Sequence, residues 1–281
     1  MARKKISVYE NIESQSSPAS DSLVVEVGSR YAALLTQLPE SRQPGAFELF
    51  EWDEPIAPDE MLVELQLHSL LLERPCADTR LYVNFPESVV TPSALFTAGA
   101  ADDYLELVHG PSIGGKTKCD LIHTDPGMVN IYRLPSSFHE SMEGMLGDVQ
   151  TSHTQSRIIE QVMRHPQAGG PCFISLTCYH QYMVMAVVCH GSLQIIRSFG
   201  VSRTEDMIYH VQNTVQQLGL LPAETHFLVS GMIGDRSVFF RYLRNMYAKV
   251  SFDETQAHAP FRELLSDYPA HYFLPFLNLL G

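Results

Sequence analysis

The chain has 281 residues, 45% of them hydrophobic and 18% charged, enough for one large or two smaller globular cores. Nineteen basic against 32 acidic residues leave a net charge of −13, which repels phosphate backbones and anionic lipid and argues against a nucleic-acid partner. Five cysteines without a Cys-x-x-Cys pair argue against a disulfide framework or a zinc knuckle and for a reducing cytoplasm, and no apolar run approaches the ~20 residues of a membrane span.

Residues 1–21 read as a flexible polar arm: Arg3, Lys4 and Lys5 are followed by a Ser-rich run, not by the apolar core of a secretory signal. Apolar runs then mark Leu23–Val27 and Tyr31–Gln37 as a β-hairpin and Ala46–Trp52 as a third strand. Pro58–Leu72 opens on proline and two acids and carries leucines at helical spacing, so a helix is expected. Arg80–Phe85 is a fourth strand. Tyr104–Val108 reads as a further strand, and Met128–Leu134 as another.

The same order returns in the second half. Cys172–Thr177 and Tyr182–Cys189 suit a hairpin, Ser192–Phe199 a third strand, Arg203–Leu218 a helix closed by Gly219, and His226–Ser230 a fourth strand. Both halves therefore read strand, strand, strand, helix, strand, a duplication of pattern with little residue identity. The expected organisation is the arm 1–21, a first lobe 22–165 and a second lobe 166–281 whose apolar C-terminal stretch, Tyr268–Gly281, packs back onto the first lobe.

Such a duplicated βββαβ unit, two α/β lobes around a cleft, resembles the arrangement shared by actin, sugar kinases and the ATP-dependent heat-shock chaperones. More specifically, "VTPSALFTAGAADDYLELV" (90–108), "VNIYRLPSSF" (129–138), "GSLQIIRSFGVSRTEDMIYHVQNTVQQLGL" (191–220) and "HFLVSG" (226–231) are similar to the bacterial DUF3822 family. The resemblance implies an actin-like ATPase (ribonuclease H-like) fold and transfers no catalytic residue.

Nucleotide-binding members of that superfamily place an Asp-x-Gly hairpin turn in each lobe, where backbone N–H groups hold phosphates and the acid positions Mg²⁺. The first-lobe turn here is Glu26-Val27-Gly28-Ser29, with a Glu one methylene longer than the Asp. Read blandly, Glu26 is a solvated residue at a hairpin end. The second-lobe turn, Thr177-Cys178-Tyr179-His180-Gln181, has neither acid nor glycine. The adenosine-side strand, Leu228-Val229-Ser230-Gly231, keeps one glycine of the expected pair.

These departures lead to a non-catalytic actin-like binding or assembly module with a degenerate nucleotide site, no cofactor, no catalytic or metal-ligating residue, and protein partners. The alternative is an active Mg-ATP-binding protein lined by Glu26, Gly28, Ser29, Ser230 and Gly231. A third possibility is a P-loop NTPase, because Gly110–Thr117 fits G-x-x-x-x-G-K-[ST] with Lys116 and Thr117 in place. That reading requires a helix after Thr117, and Asp125-Pro126-Gly127 leaves too little chain to form one.

Overall fold

The computed structural model describes residues 3–9, 21–39, 41–112, 114–147, 149–254, 263 and 265–280. By internal contact density the chain divides into two units. The first takes Met1–Ser156, His258–Leu265 and Phe276–Gly281; the second takes Arg157–Ala257 and Ser266–Pro275.

The first unit is built on a six-stranded sheet. Its strands are β1 (Arg3–Tyr9), β2 (Ser22–Gly28), β3 (Tyr31–Gln37), β4 (Pro44–Glu51), β5 (Asp78–Asn84) and β9 (Gln150–His153), in the order β1-β4-β3-β2-β5-β9. β2 pairs antiparallel with β3 and parallel with β5, which pairs parallel with β9. Helix α1 (Pro58–His68) begins with proline and two acids as its sequence dictates. It stops at Ser69, before the expected Leu72. There the Glu48 carboxylate accepts hydrogen bonds from the Ser69 hydroxyl at 2.6 Å and the Leu70 N–H at 3.1 Å, drawing the chain out of helical geometry.

Between β5 and β9 lies a small layer. β6 (Ser88–Pro92), β8 (Met128–Pro135) and β7 (Gly115–Ile122) form an antiparallel three-stranded sheet in the order β6-β8-β7, with α2 (Ala101–His109) against it and α3 (Ser136–Leu146) following β8. The expected strand at Tyr104–Val108 belongs to α2. Asp102 and Asp103 in its first turn and Gly110 at φ +81° after its end favour the helix, which buries Leu105 and leaves Leu107 and Val108 in solvent.

The arm reading is corrected at its start. Arg3–Tyr9 is a sheet-edge strand paired antiparallel with β4; Ile6 is buried, Lys5 Nζ lies 2.6 Å from Glu51 Oε2, and the Tyr9 hydroxyl donates to Glu48. These partners are more than 35 residues away in sequence, which is why local polarity concealed the strand. Residues 10–20 of the expected arm lie outside the described residues.

The second unit repeats the plan. After α4 (Thr154–Arg164), whose first turn falls in the first unit, come β10 (Cys172–Tyr179), β11 (Tyr182–Cys189), β12 (Ser192–Gly200), α5 (Thr204–Gln217), β13 (Thr225–Gly231), α6 (Val238–Met246) and β14 (Lys249–Phe252). Its sheet order is β12-β11-β10-β13-β14, with β10 antiparallel to β11 and parallel to β13. Numbering the strands within each sheet from its hairpin, both sheets share the run third, second, first, fourth, fifth, and in the first unit β1 is added beyond the third. Each hairpin also buries its own core: Val25, Val27 and Leu34 in one unit, Ile174, Leu176, Met183 and Met185 in the other.

The final residues pack in the first unit. Phe276 sets its ring 5.9 Å from Tyr31 and 5.6 Å from Phe47, and the Leu280 carbonyl accepts from Gln37 Nε2 at 2.8 Å. Among the described residues no helix is long and apolar enough to cross a membrane.

Candidate functional site

Parallel strands of an open α/β sheet present their carboxyl ends, and the turns beyond them, as the usual ligand edge. In the first unit that edge is formed by β2, β5 and β9. Register places Gly28 opposite Asn84 and Val83 opposite His153.

Glu26 lies two residues before the end of β2 and is 0% exposed. The solvated-Glu expectation is therefore corrected. Its Oε1 accepts from the Tyr31 hydroxyl at 2.9 Å, the Thr154 hydroxyl at 2.8 Å and Asn84 Nδ2 at 3.3 Å. Asn84 Nδ2 also donates to the Tyr31 hydroxyl at 2.7 Å. A carboxylate removed from water needs such donors, since burying it unpaired is prohibitively costly.

Gly28 has a second role here. A Cβ on it would overlap the Tyr31 ring, so the missing side chain makes room for that ring. Ser29 sits in the turn, partly exposed, and its carbonyl accepts the Ile56 N–H at 3.2 Å.

A neighbouring polar cluster escaped the sequence reading. Asp120 Oδ2 accepts from the His153 N–H at 2.6 Å and the Ser156 hydroxyl at 2.7 Å, and Oδ1 from the Tyr132 hydroxyl at 3.1 Å. Burial pushes the Asp120 carboxyl up, and those three hydrogen bonds oppose the shift. The His153 ring is wholly buried. Its Nδ1 accepts from the Gln155 N–H at 3.1 Å, so Nε2 carries the proton and donates to the Phe85 carbonyl at 2.9 Å. Burial pulls its pKa down to about 4, with the Phe85 carbonyl acting the other way. The neutral ring is fully satisfied there; a proton on Nδ1 would face another donor.

In the second unit, Ser230 and Gly231 close β13. Gly231 has φ +91°, and a Cβ on it would collide with the Cys178 carbonyl of β10. Its N–H donates to the His271 carbonyl at 2.8 Å, and the next N–H, of Met232, donates to the Cys178 carbonyl at 2.8 Å. His271 is itself 4% exposed, with Nε2 2.7 Å from the Ile233 carbonyl. Its ring stacks on Phe252 at 3.7 Å, which stacks on Phe240 at 3.9 Å. Burial lowers the His271 pKa, with the Ile233 carbonyl and nearby carboxylates opposing the shift. The expected Thr177–Gln181 turn is shorter in the structure: Cys178 and Tyr179 are the last residues of β10, paired with Met183 and Tyr182, and both are buried, with burial pushing the Cys178 thiol up to about 12.

Lys116 and Thr117 lie on β7, a strand paired with β8, and not on a loop entering a helix. The Lys116 ammonium meets His139 Nε2 and the Thr117 hydroxyl donates to Asp102. The P-loop pattern is therefore coincidental in its context.

Tyr31, Asn84, Thr154, Asp120, His153 and His271 are thus the polar residues that sequence reasoning passed over. Only Tyr31, beside the Gly28 turn, carried a local clue.

No curated protein matches the chain. Among solved structures it is similar to a protein of Bacteroides thetaiotaomicron described as having an actin-like ATPase fold and unknown function, with TM-score 0.79, 14% identity, and 94% of this chain and 96% of that one covered. It is also similar to a chain of the PilM-PilN type IV pilus biogenesis complex, with TM-score 0.54, 12% identity, and coverage of 94% and 98%. At such identities the likeness is one of fold, and the fold is the duplicated actin-like ATPase fold that the strand orders describe. The family model described as "Protein of unknown function (DUF3822)" matches residues 12–250, and the chain belongs to that family.

Proposed function

We propose that this chain is a non-catalytic actin-like binding or assembly module whose nucleotide-side positions are closed by its own groups. The observation that carries the proposal is Glu26. The resemblance of Glu26-Val27-Gly28 to the Asp-x-Gly turn gives Glu26 the magnesium-side position, yet its carboxylate is buried and holds Tyr31, Thr154 and Asn84. All three donors converge on Oε1, and the whole carboxylate is shut off from solvent, whereas a near-octahedral Mg²⁺ shell keeps several waters around its carboxylate ligand. Two further observations agree: the Tyr31 ring takes the room over Gly28, and the Gly231 N–H is committed to the His271 carbonyl.

The partner class we assign is protein. The PilM chain with a similar fold is found in a complex with PilN, and the acidic charge of this chain disfavours nucleic acid. The small layer offers apolar surface for such a partner at Leu95, Leu107, Val108 and Leu121, which are 60–87% exposed.

The test is a thermal melt of the full chain with and without saturating Mg-ATP, read beside a chemical cross-linking pull-down from the native host. Unchanged melting together with a protein cross-linked near α2 supports the module. A clear upward shift supports the ATPase alternative, with Glu26, Gly28, Ser29, Ser230 and Gly231 as its lining.

A further inference from the structure

Two thiols meet in the second unit. Cys172 at the start of β10 and Cys189 at the end of β11 are brought opposite each other by the register Phe173↔Val188, and their sulfurs lie 2.8 Å apart. Directly opposed residues of antiparallel strands have Cα atoms about 4.5–5.5 Å apart, inside the ~4.4–6.8 Å window that a disulfide spans. Closing the contact to a bond of about 2.05 Å needs a further movement of about 0.8 Å.

The two members differ. Cys172 is 6% exposed and Cys189 is only partly buried, so an outside reagent reaches Cys189 first. Burial raises the Cys172 thiol, as does its hydrogen bond with Cys189. The other cysteines lack this pairing among the described residues. Burial raises the Cys76 and Cys119 thiols, with nearby carboxylates adding to it, and Cys178 is wholly enclosed. The hairpin base is held in place by the N–H groups of His190 and Gly191, which donate to the Gly170 and Ala168 carbonyls at 3.0 and 2.9 Å.

We propose that Cys172 and Cys189 form a reversible thiol–disulfide pair, oxidised by hydrogen peroxide, that clips the base of the β10–β11 hairpin. The Cys189 thiolate attacks one peroxide oxygen; the O–O bond breaks, leaving a sulfenic acid on Cys189 and hydroxide, which takes a proton to become water. The Cys172 sulfur then attacks the sulfenic sulfur. The S–S bond forms, the S–O bond breaks, and the leaving hydroxide departs as water with the Cys172 proton. Two thiols are oxidised and one peroxide is reduced to two waters, with no other reagent required.

The sequence makes the assignment testable. Trypsin leaves Cys172, Cys178 and Cys189 in one peptide, because no Lys or Arg lies between Arg164 and Arg197. Cyanogen bromide cuts after Met163, Met183, Met185 and Met207, placing Cys172 and Cys178 on fragment 164–183 and Cys189 on 186–207. The full chain is exposed to equimolar hydrogen peroxide, blocked with N-ethylmaleimide, cleaved and weighed without reductant.

The free-thiol count is expected to fall from five to three, with the two fragments joined, two hydrogens lighter, and separated again by dithiothreitol. Cys178→Ser should keep the link and Cys189→Ser should abolish it with Cys172 still blocked by maleimide. Fragments that stay separate while Cys119 or Cys189 gains oxygen would overturn the proposal, as would a link that needs Cys178 or joins two chains. Tandem mass spectrometry of the linked 164–183 fragment from the unaltered protein should place the maleimide on Cys178, so a variant that misfolds leaves the mapping decisive.

Discussion

Replacing Glu26 with alanine separates a structural carboxylate from a ligand-holding one. In this structure the substitution removes the acceptor of three buried donors. Asn84 Nδ2 retains the Tyr31 oxygen, and the Thr154 hydroxyl loses the acceptor it holds in the parent. A buried donor that loses its acceptor costs about 1–2 kcal/mol, so Glu26→Ala should destabilise the first unit by about that much before any void is counted. Trp52 is the sole tryptophan and is buried in the core of that unit, so its fluorescence during a urea titration reports the unit alone. A lower urea midpoint is expected. Thr154→Val removes one of the same hydrogen bonds and should cost about 1 kcal/mol, with the double variant costing less than the sum because the pair is in contact. A Glu26→Ala protein within ~0.5 kcal/mol of the parent, or more stable than it, would refute the reasoning, since acids held for a ligand commonly cost stability.

Acid should weaken the first unit through His153. Its folded pKa of about 4 lies below the ~6.5 of an unfolded histidine, so the stabilisation is whole above about pH 6.5 and drains as pH falls toward 4. About 2 kcal/mol should be gone by pH 5, read by Trp52 fluorescence in urea, and His153→Gln should flatten that slope. Gly231→Ala should destabilise the second unit by at least ~2 kcal/mol, because φ +91° is strained for alanine and its Cβ would strike the Cys178 carbonyl. Gly144→Ala, in α3 with open space around the new Cβ, should instead stabilise by about 0.5–1 kcal/mol in thermal melts. Leu107→Asp, at a position 87% exposed, should leave melting within the ±0.5 kcal/mol usual for surface changes while abolishing partner cross-linking.

The repeat was legible because each of its parts is local. Near-continuous apolar runs mark β2, β3, β10 and β11, each within a single stretch of residues, and proline, acids and glycine bracket α1 and α5. The short β14 and β9, only four residues each, carry too little pattern to be seen, and the β1 partners lie far along the chain. α2 was misread because Tyr104, Leu105, Leu107 and Val108 satisfy a strand run as readily as a helix face. The candidate site was legible as positions and not as chemistry. Glu26 meets Thr154 across 128 residues, and Gly231 meets His271 from near the chain end, so nothing near either residue announces that its hydrogen bonds are taken.

The account turns on whether those positions still receive a nucleotide. Isothermal calorimetry of the full chain with Mg-ATP tests this directly, with a thermal melt as its companion. No binding heat and an unmoved melting temperature are predicted. Saturable binding that adds about 2.7 kcal/mol of stability at 100 times its Kd, and that Glu26→Ala abolishes in a protein still folded, would contradict the account.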